Sequence, residues 1–289
     1  MDNSVADASV APEHPPLVPR SLPGPLRLLT CTWETPHLFW QMARKEILTR
    51  YRGSILGVLW SFATPFVLLV VFTFVFSVIF EARWGERVGN QGEFALVLFA
   101  GFIVFWLFSE CVGRAPTLIL QNVNFVKRIV FPLEILPWVV MVGAAFQAGV
   151  ATLVLFGFHL VLLGLPPPTA ILFPLVLAPL VLMTMGVSWF LASLGVFYRD
   201  INHVIGVALT VIMWTSPIIY PVSVVPPPYR LIVQLNPISL IVQQSREVLL
   251  WGRLPDWGAL GLYLIAGWAV AWLGFAWFMK TKKGFANVV

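Results

Sequence analysis

The chemically versatile residues of this chain are few and far apart. Four histidines stand at positions 14, 37, 159 and 203, with no spacing that would bring two of them to one metal ion. The two cysteines, Cys31 and Cys111, supply neither a disulfide framework nor a zinc pattern. No glycine-rich GxxxxGK[ST] loop is present to cradle nucleotide phosphates, which excludes a standard ATP hydrolase. No nucleophile and base can be paired. The sequence therefore offers no catalytic, cofactor-binding or metal-binding residue and reads as a non-enzyme. What it has in abundance is aromatic surface: 13 tryptophans, 23 phenylalanines and five tyrosines. Such rings bind the apolar faces of sugars or lipids, and they also form interfacial belts and ordinary packing contacts.

The elements that must position these rings follow from composition. Apolar residues make up 59% of the 289, charged residues only 11%, and mean hydropathy is +0.87. A soluble chain of this length could not hide that much apolar surface, whereas helices of about 20 apolar residues cross a bilayer. Six such spans are expected in an all-α integral membrane protein: Val58–Phe80 with Pro65 inside it, Phe94 to about Val112, Leu133–Leu163, Thr169–Phe197, Val204–Tyr220 and Trp257–Met279. Glu110, near the end of the second, needs the interface or a partner. Charges are nearly absent from span centres, which argues against a proton-coupled carrier or ion pump.

The connections carry the remaining signals. Residues 1–35 read as a polar, Pro-rich flexible tail without the features of a signal peptide. Thr35 and Pro36 mark a helix start, after which Trp40, Ala43, Ile47 and Tyr51 recur at helical spacing among Arg44, Lys45, Glu46, Arg50 and Arg52. That density of charge fits an amphipathic helix lying in the interface. Residues 113–131, with Arg114, Asn122, Asn124, Lys127 and Arg128, are too polar to cross and are expected to lie against the inner membrane face or a partner. Before the last span, Asn236-Pro237 marks a turn. Ile238, Ile241, Val242, Ser245 and Leu249 then form an apolar stripe, with Gln243, Gln244, Arg246 and Glu247 toward water or an exit. Periodicity alone fits a re-entrant helix pair and a surface helix equally. Excluding the distal tail, eleven basic residues fall on the side of the termini against Arg83, Arg87, Arg230, Arg246 and Arg253 on the other, which places both termini in the cytoplasm. The overall charge of +5 is thus a matter of membrane topology, and no nucleic-acid partner is implied.

Four ordered stretches carry a family resemblance: ARKEILTRYRGSILGVLWSFATPFVLLVVFTFVF, NVNFVKRIVFPLEILP, GVFYRDINHVIGVALTVIMWTSPIIYP and LNPISLIVQQSREVLLWG. Together, over about residues 36–283, they resemble the permease of type-2 ABC exporters that move O-antigen, teichoic acid or capsule polysaccharide. The resemblance implies a homodimeric channel in the bacterial cytoplasmic (inner) membrane, powered by two separate ABC ATPase subunits that bind ATP and Mg. The cargo it implies is an undecaprenyl-diphosphate-linked polysaccharide. It makes residues 38–51 a gate helix and about 117–131 a coupling helix, with Asn122, Phe125, Val126, Lys127 and Arg128 as ATPase contacts. Arg199 and Asp200 form a second contact, and residues 235–251 the re-entrant helices. Arg44, Lys45, Arg50 and Arg52 stand where a diphosphate or anionic membrane lipid arrives, although positive-inside anchoring at about 1 kcal/mol per residue accounts for the same charges. Trp60, Phe62 and Trp214 are channel-lining candidates. The expected divisions are the tail 1–35, a transmembrane domain 36–283 and a short cytoplasmic tail 284–289. An exporter of small amphipathic molecules or drugs is the alternative, followed by a non-transport scaffold of a glycan-assembly complex.

Overall fold

The computed structural model describes residues 24, 28, 35–50, 53–79, 84, 92–126 and 131–288, and among these the chain is helical, with no strand. The N-terminal tail, Arg52, Lys127 and Arg128 lie outside the described residues, apart from Gly24, Leu28 and Thr35 in the tail.

Helix α1 (Pro36–Thr49) forms where the helical spacing predicted a helix, with Ala43 its buried residue. Thr35 stands at its N-cap and Pro36 at its first position, but the Thr35 hydroxyl makes no capping bond. Its carbonyl accepts the Phe39 N–H at 3.0 Å instead. Helix α2 (Trp60–Phe72) follows a 3-10 turn at Gly57–Leu59 and runs into a π-helical segment, Thr73–Ile79. Pro65 lacks an N–H, so the Ser61 carbonyl loses its helical donor. Gln147 fills the vacancy from a neighbouring helix, with Nε2 donating to that carbonyl at 3.1 Å. This is how α2 keeps a proline in apolar surroundings.

Helix α3 (Glu93–Leu118) is the central column, buried along most of its length. It runs six residues past the expected end at Val112 and carries Arg114 and Pro116 with it. The polar stretch after it is correspondingly shorter: a 3-10 turn at Leu120–Asn122 and the single turn α4 (Val123–Val126). Helix α5 (Leu136–Leu162) and α6 (Phe173–Phe197) follow, each with a 3-10 lead-in, at Leu133–Ile135 and Pro168–Leu172. The next element, α7 (Ile201–Thr215), is apolar but only 15 residues long. The expected span to Tyr220 stops there because Pro217 cannot continue it: the backbone is extended at Ser216, turns at Pro217 and Ile218, and forms a 3-10 turn at Val222–Val224. Two short helices, α8 (Arg230–Leu235) and α9 (Ser239–Leu249), precede the last long helix, α10 (Trp257–Thr281). Asp256 caps α10 by accepting the Ala259 N–H at 3.0 Å. A final turn, α11 (Phe285–Val288), buries Phe285 against Phe278. Five helices among the described residues are long and apolar enough to cross a bilayer: Gly57–Phe76, Glu93–Leu118, Leu133–Leu162, Pro168–Phe197 and Trp257–Gly284.

Helices α6 and α10 pack backbone to backbone. Gly267, Ala271 and Gly274 form a small-residue stripe on α10, and a Cβ at Gly274 would lie 2.0 Å from the Gly186 carbonyl oxygen. A Cβ at Gly186 would in turn lie 2.4 Å from the carbonyl oxygen of Val270. Small residues let the two backbones touch, the usual route to close helix packing where lipid removes the hydrophobic incentive.

Candidate functional site

At the end of the bundle where α3 finishes, four charged side chains close into a ring. Arg50, just beyond α1, places Nη2 2.5 Å from Glu110 Oε1 and 3.3 Å from Glu46 Oε1. Arg114 completes it with Nη1 2.5 Å from Glu46 Oε1 and 3.1 Å from Glu110 Oε1. Two contacts are one-turn pairs within a segment, and two cross between α1 and α3. Gly143 of α5 leaves room for the ring, since a Cβ there would meet Glu46 Cγ at 3.1 Å and Arg50 Nη2 at 3.4 Å. Burial raises the pKa of the Glu46 carboxyl, but Arg114 and Arg50 outweigh it and hold the group below the ordinary carboxylate value. The ring explains why α3 runs beyond Val112: Arg114 is too polar for a span only when unpaired.

This alters the cationic cluster read from the sequence. Arg50 is occupied by two carboxylates, whereas Arg44 and Lys45 remain exposed on a groove of about 460 Å³ with Gln41, Leu48 and Thr49. Lys45 also faces a cavity of about 290 Å³ that α1 shares with Arg114, Gln121, Asn122 and Phe125. The gate-helix candidate and the coupling candidate therefore meet at one cleft. Asn122 is held by its own helix, with Nδ2 donating to the Leu118 carbonyl at 2.8 Å. Phe125 stacks on Phe131 with ring centroids 4.3 Å apart. Val126 continues the turn, and Asn124 is its exposed member. Arg199 and Asp200 lie in the exposed bend between α6 and α7, with no side-chain hydrogen bond or ion pair to a described residue.

The same end is clipped a second time. Glu134, 6% exposed at the start of α5, accepts the Lys282 ammonium at 2.6 Å, and its backbone carbonyl accepts Trp189 Nε1 at 3.0 Å. Sequence reasoning missed this pair, because the two residues stand 148 positions apart.

The channel candidates are partly exposed: Trp60 46%, Phe62 41% and Trp214 59%. They lie on α2 and α7, which bury little of their surface. Ser61, Pro65 and Leu69 are the buried residues of α2, and α7 has none. Within one chain α2 lies on α5 and α3, and α7 on α3, with no ring contact joining Trp60 or Phe62 to Trp214 among the described residues.

At the opposite end the helix pair before the last span folds inward. Asn236, 8% exposed, donates Nδ2 to the Ile212 carbonyl and to Thr215 Oγ1, both at 2.8 Å, and so finishes the C-terminus of α7. The Tyr263 hydroxyl, in the second turn of α10, donates to the Pro237 carbonyl. Pro237 also borders an apolar cavity with Phe108 and Val187, which lie near the middles of α3 and α6. The stripe Ile238, Ile241, Val242, Ser245 and Leu249 is wholly buried, as its period required. Arg246 departs from expectation: it is 2% exposed. Its Nε donates to the Val97 carbonyl at 2.9 Å, Nη1 to Pro217 at 2.6 Å and Nη2 to Ile218 at 2.7 Å, while Trp84 lies under the guanidinium at 4.4 Å. These carbonyls belong to α3 and to the turn after α7. Where a proline breaks the helix, the side chain supplies the donors that the backbone lacks.

Five helices long and apolar enough to cross a bilayer, among the described residues, define a multi-pass membrane protein. The chain belongs to the ABC-2 type transporter family, whose profile matches residues 37–250. It is 25% identical over 271 residues to the O-antigen export system permease protein RfbA of Myxococcus xanthus, covering 91% of this chain and 100% of that one. An RfbA protein of the same description from Klebsiella pneumoniae is 24% identical over 252 residues, 86% of this chain and 93% of the relative. The polysialic acid transport protein KpsM of Escherichia coli is 21% identical over 240 residues, 83% and 91% of the two chains.

Proposed function

We propose that this chain is the membrane-channel subunit of an ATP-driven exporter, moving an undecaprenyl-diphosphate-linked polysaccharide from the cytoplasmic to the outer side of the bacterial inner membrane. The observation that carries the reading is end-to-end similarity to permeases whose names specify O-antigen and polysialic acid transport. The exposed apolar faces of α2 and α7 support a channel formed with a second copy of the chain. Apolar surface with aromatic rings, left uncovered in one chain, is what a partner and a glycan passage between them require. Arg44 and Lys45, without a carboxylate partner among the described residues, are the lipid-head contacts, with Arg52 as the third. Arg50 serves the ring instead.

ATP and Mg belong to two partner ATPases, docked on the Asn122–Arg128 segment with Arg199 and Asp200 beside it. The exposed Asn124 side chain and the cleft shared with α1 support that surface. Both termini are cytoplasmic, and α7 with the turn and 3-10 segment after it makes the sixth crossing. At about 22 Å the helix is short for a bilayer core of roughly 30 Å. The buried Asn236 and Arg246 support the crossing by providing donors for the backbone that follows. Contacts of the α8–α9 turn near the middles of α3 and α6 favour a re-entrant pair over a surface helix.

The test is reconstitution with a partner ABC ATPase in proteoliposomes holding lipid-linked glycan. ATP-dependent appearance of glycan at the far face is expected. Hydrolysis that moves an amphipathic dye but no glycan would select the drug-exporter reading. For topology, membrane-impermeant labelling of intact cells should mark Gly89→Cys and miss Asn287→Cys.

A further inference from the structure

Helix α7 turns an apolar stripe, Ile205, Ala208, Leu209 and Ile212, toward α3 and α6, yet none of the four is fully buried. Their spacing of i, i+3, i+4 and i+7 is that of a packed helix face. Two contacts hold the helix in place. A Cβ at Gly113 of α3 would meet Leu209 Cδ1 at 3.3 Å, and Asn236 donates to the Ile212 carbonyl at the other end. Between α7 and α6 lies an apolar cavity of about 330 Å³, backed by Phe108 and Val112 of α3 and bordered by Pro237.

We propose that this cavity is a lipid site, filled by one acyl chain of a membrane phospholipid that completes the packing of α7 against α6. What can occupy such a space is limited. Water needs two to four polar partners, and the described lining side chains offer only carbon and the thioether of Met183. A helix of a second copy, roughly 10 Å across, is too wide. An apolar cavity of about 150 Å³ takes up benzene, so this one accommodates roughly a dozen carbons. That is most of one acyl chain, whereas an undecaprenyl chain is several times too long to be contained. The occupant is therefore a resident lipid and not the cargo. Its way in passes Phe190, the exposed member of the lining, whose ring centroid lies 5.9 Å from that of the exposed Trp277 on α10. The walls belong to α3 and α6, both long and apolar enough to cross a bilayer, and Phe108 and Val187 stand near their middles, so this opening meets hydrocarbon. The acyl chain lies behind α7, turned away from the exposed stripe Val207, Val211 and Trp214 that carries a channel candidate. Lipid thus sets where that stripe stands.

The test uses the complete transporter, permease with ATPase, in nanodiscs of phosphatidylethanolamine and phosphatidylglycerol. A small share of the phosphatidylethanolamine carries a diazirine in one acyl chain, and adducts formed on irradiation are located by peptide mass spectrometry. Phe108 and Val112 are the reporters, because both are buried within the chain and out of reach of bulk lipid. Leu262 and Ile265 of α10 are exposed and serve as the reference. Adducts on Phe108 or Val112 are expected. Ala208→Leu puts an isobutyl group into the cavity and should lower them about tenfold, the equivalent of roughly two methylenes of the chain losing their burial. Val207→Leu, on the exposed stripe, should leave them unchanged. Reference labelling and unfolding temperature equal to wild type show that the Ala208→Leu protein is folded, and Val187→Leu fills the same space from α6 if it is not. Absence of adducts on both reporters, or adducts that persist in the folded filling variant, overturns the proposal. Labelling of the reporters by a diazirine-bearing polyprenyl phosphate but not by the phospholipid also overturns it and gives the cavity to the tail of the cargo.

Discussion

Replacing Glu46 by glutamine tests whether the ion ring fastens α1 to the bundle. The change is nearly isosteric but removes the carboxylate that Arg114 and Arg50 share, leaving two guanidiniums on Glu110 alone. Side-chain exposures in the ring run from 18% to 35%, between a solvent-screened pair and a buried one. Exposed pairs contribute about 0–1 kcal/mol and breaking a buried pair costs about 3–5, so roughly 2 kcal/mol is expected here. That corresponds to about thirtyfold more frequent opening of α1. Hydrogen exchange of the α1 amides, measured on the purified transporter in nanodiscs, reads this directly, with α10 amides as the internal reference. Since the folded carboxyl titrates below its ordinary value of 4.5, its contribution is complete above that pH and lost as pH falls through the lowered value. Wild-type α1 should therefore hold at neutral pH and loosen only in acid. Glu46→Gln protein exchanging at the wild-type rate at pH 7 would refute the reasoning.

Three other substitutions probe different contacts. Gly274→Ala puts a methyl 2.0 Å from the Gly186 oxygen and should cost about 2–3 kcal/mol, read as a lower unfolding temperature, while Gly261→Ala on the same helix meets nothing and should be neutral. Lys282→Met strands the Glu134 carboxylate and should destabilise by about 3 kcal/mol, with much of the loss recovered in the Glu134→Gln/Lys282→Met double variant. Asn124→Asp adds charge to an exposed docking position and should weaken ATPase co-purification without changing permease unfolding. Phe125→Asp should lower both, because its ring is stacked inside the chain.

The long helices were legible because twenty-odd uncharged residues admit little else in a chain this apolar. Boundaries failed where a charge or a proline had a distant answer. Arg114 read as the end of a span because Glu46 lies 68 residues away, although the one-turn pairs Glu46–Arg50 and Glu110–Arg114 were visible in the sequence. Arg246 read as water-facing because arginine usually is, and its carbonyl partners come 149, 29 and 28 residues earlier. The α9 stripe, by contrast, needed only local period, and all five residues are buried. Pairing of charges across a bundle is a property of topology, which periodicity does not encode.

The glycine contact between α6 and α10 also apportions stiffness. Each backbone occupies the space where the other's side chains would stand, so a slide or twist of one helix along the other begins with atomic overlap. The pair behaves as one rigid post. Opposite conditions hold for α2 and α7, which bury little and rest on neighbours through side chains that can change rotamer. Mechanical work delivered to one end of this molecule therefore bends the staves and spares the post, and the yielding elements are the ones that carry Trp60, Phe62 and Trp214.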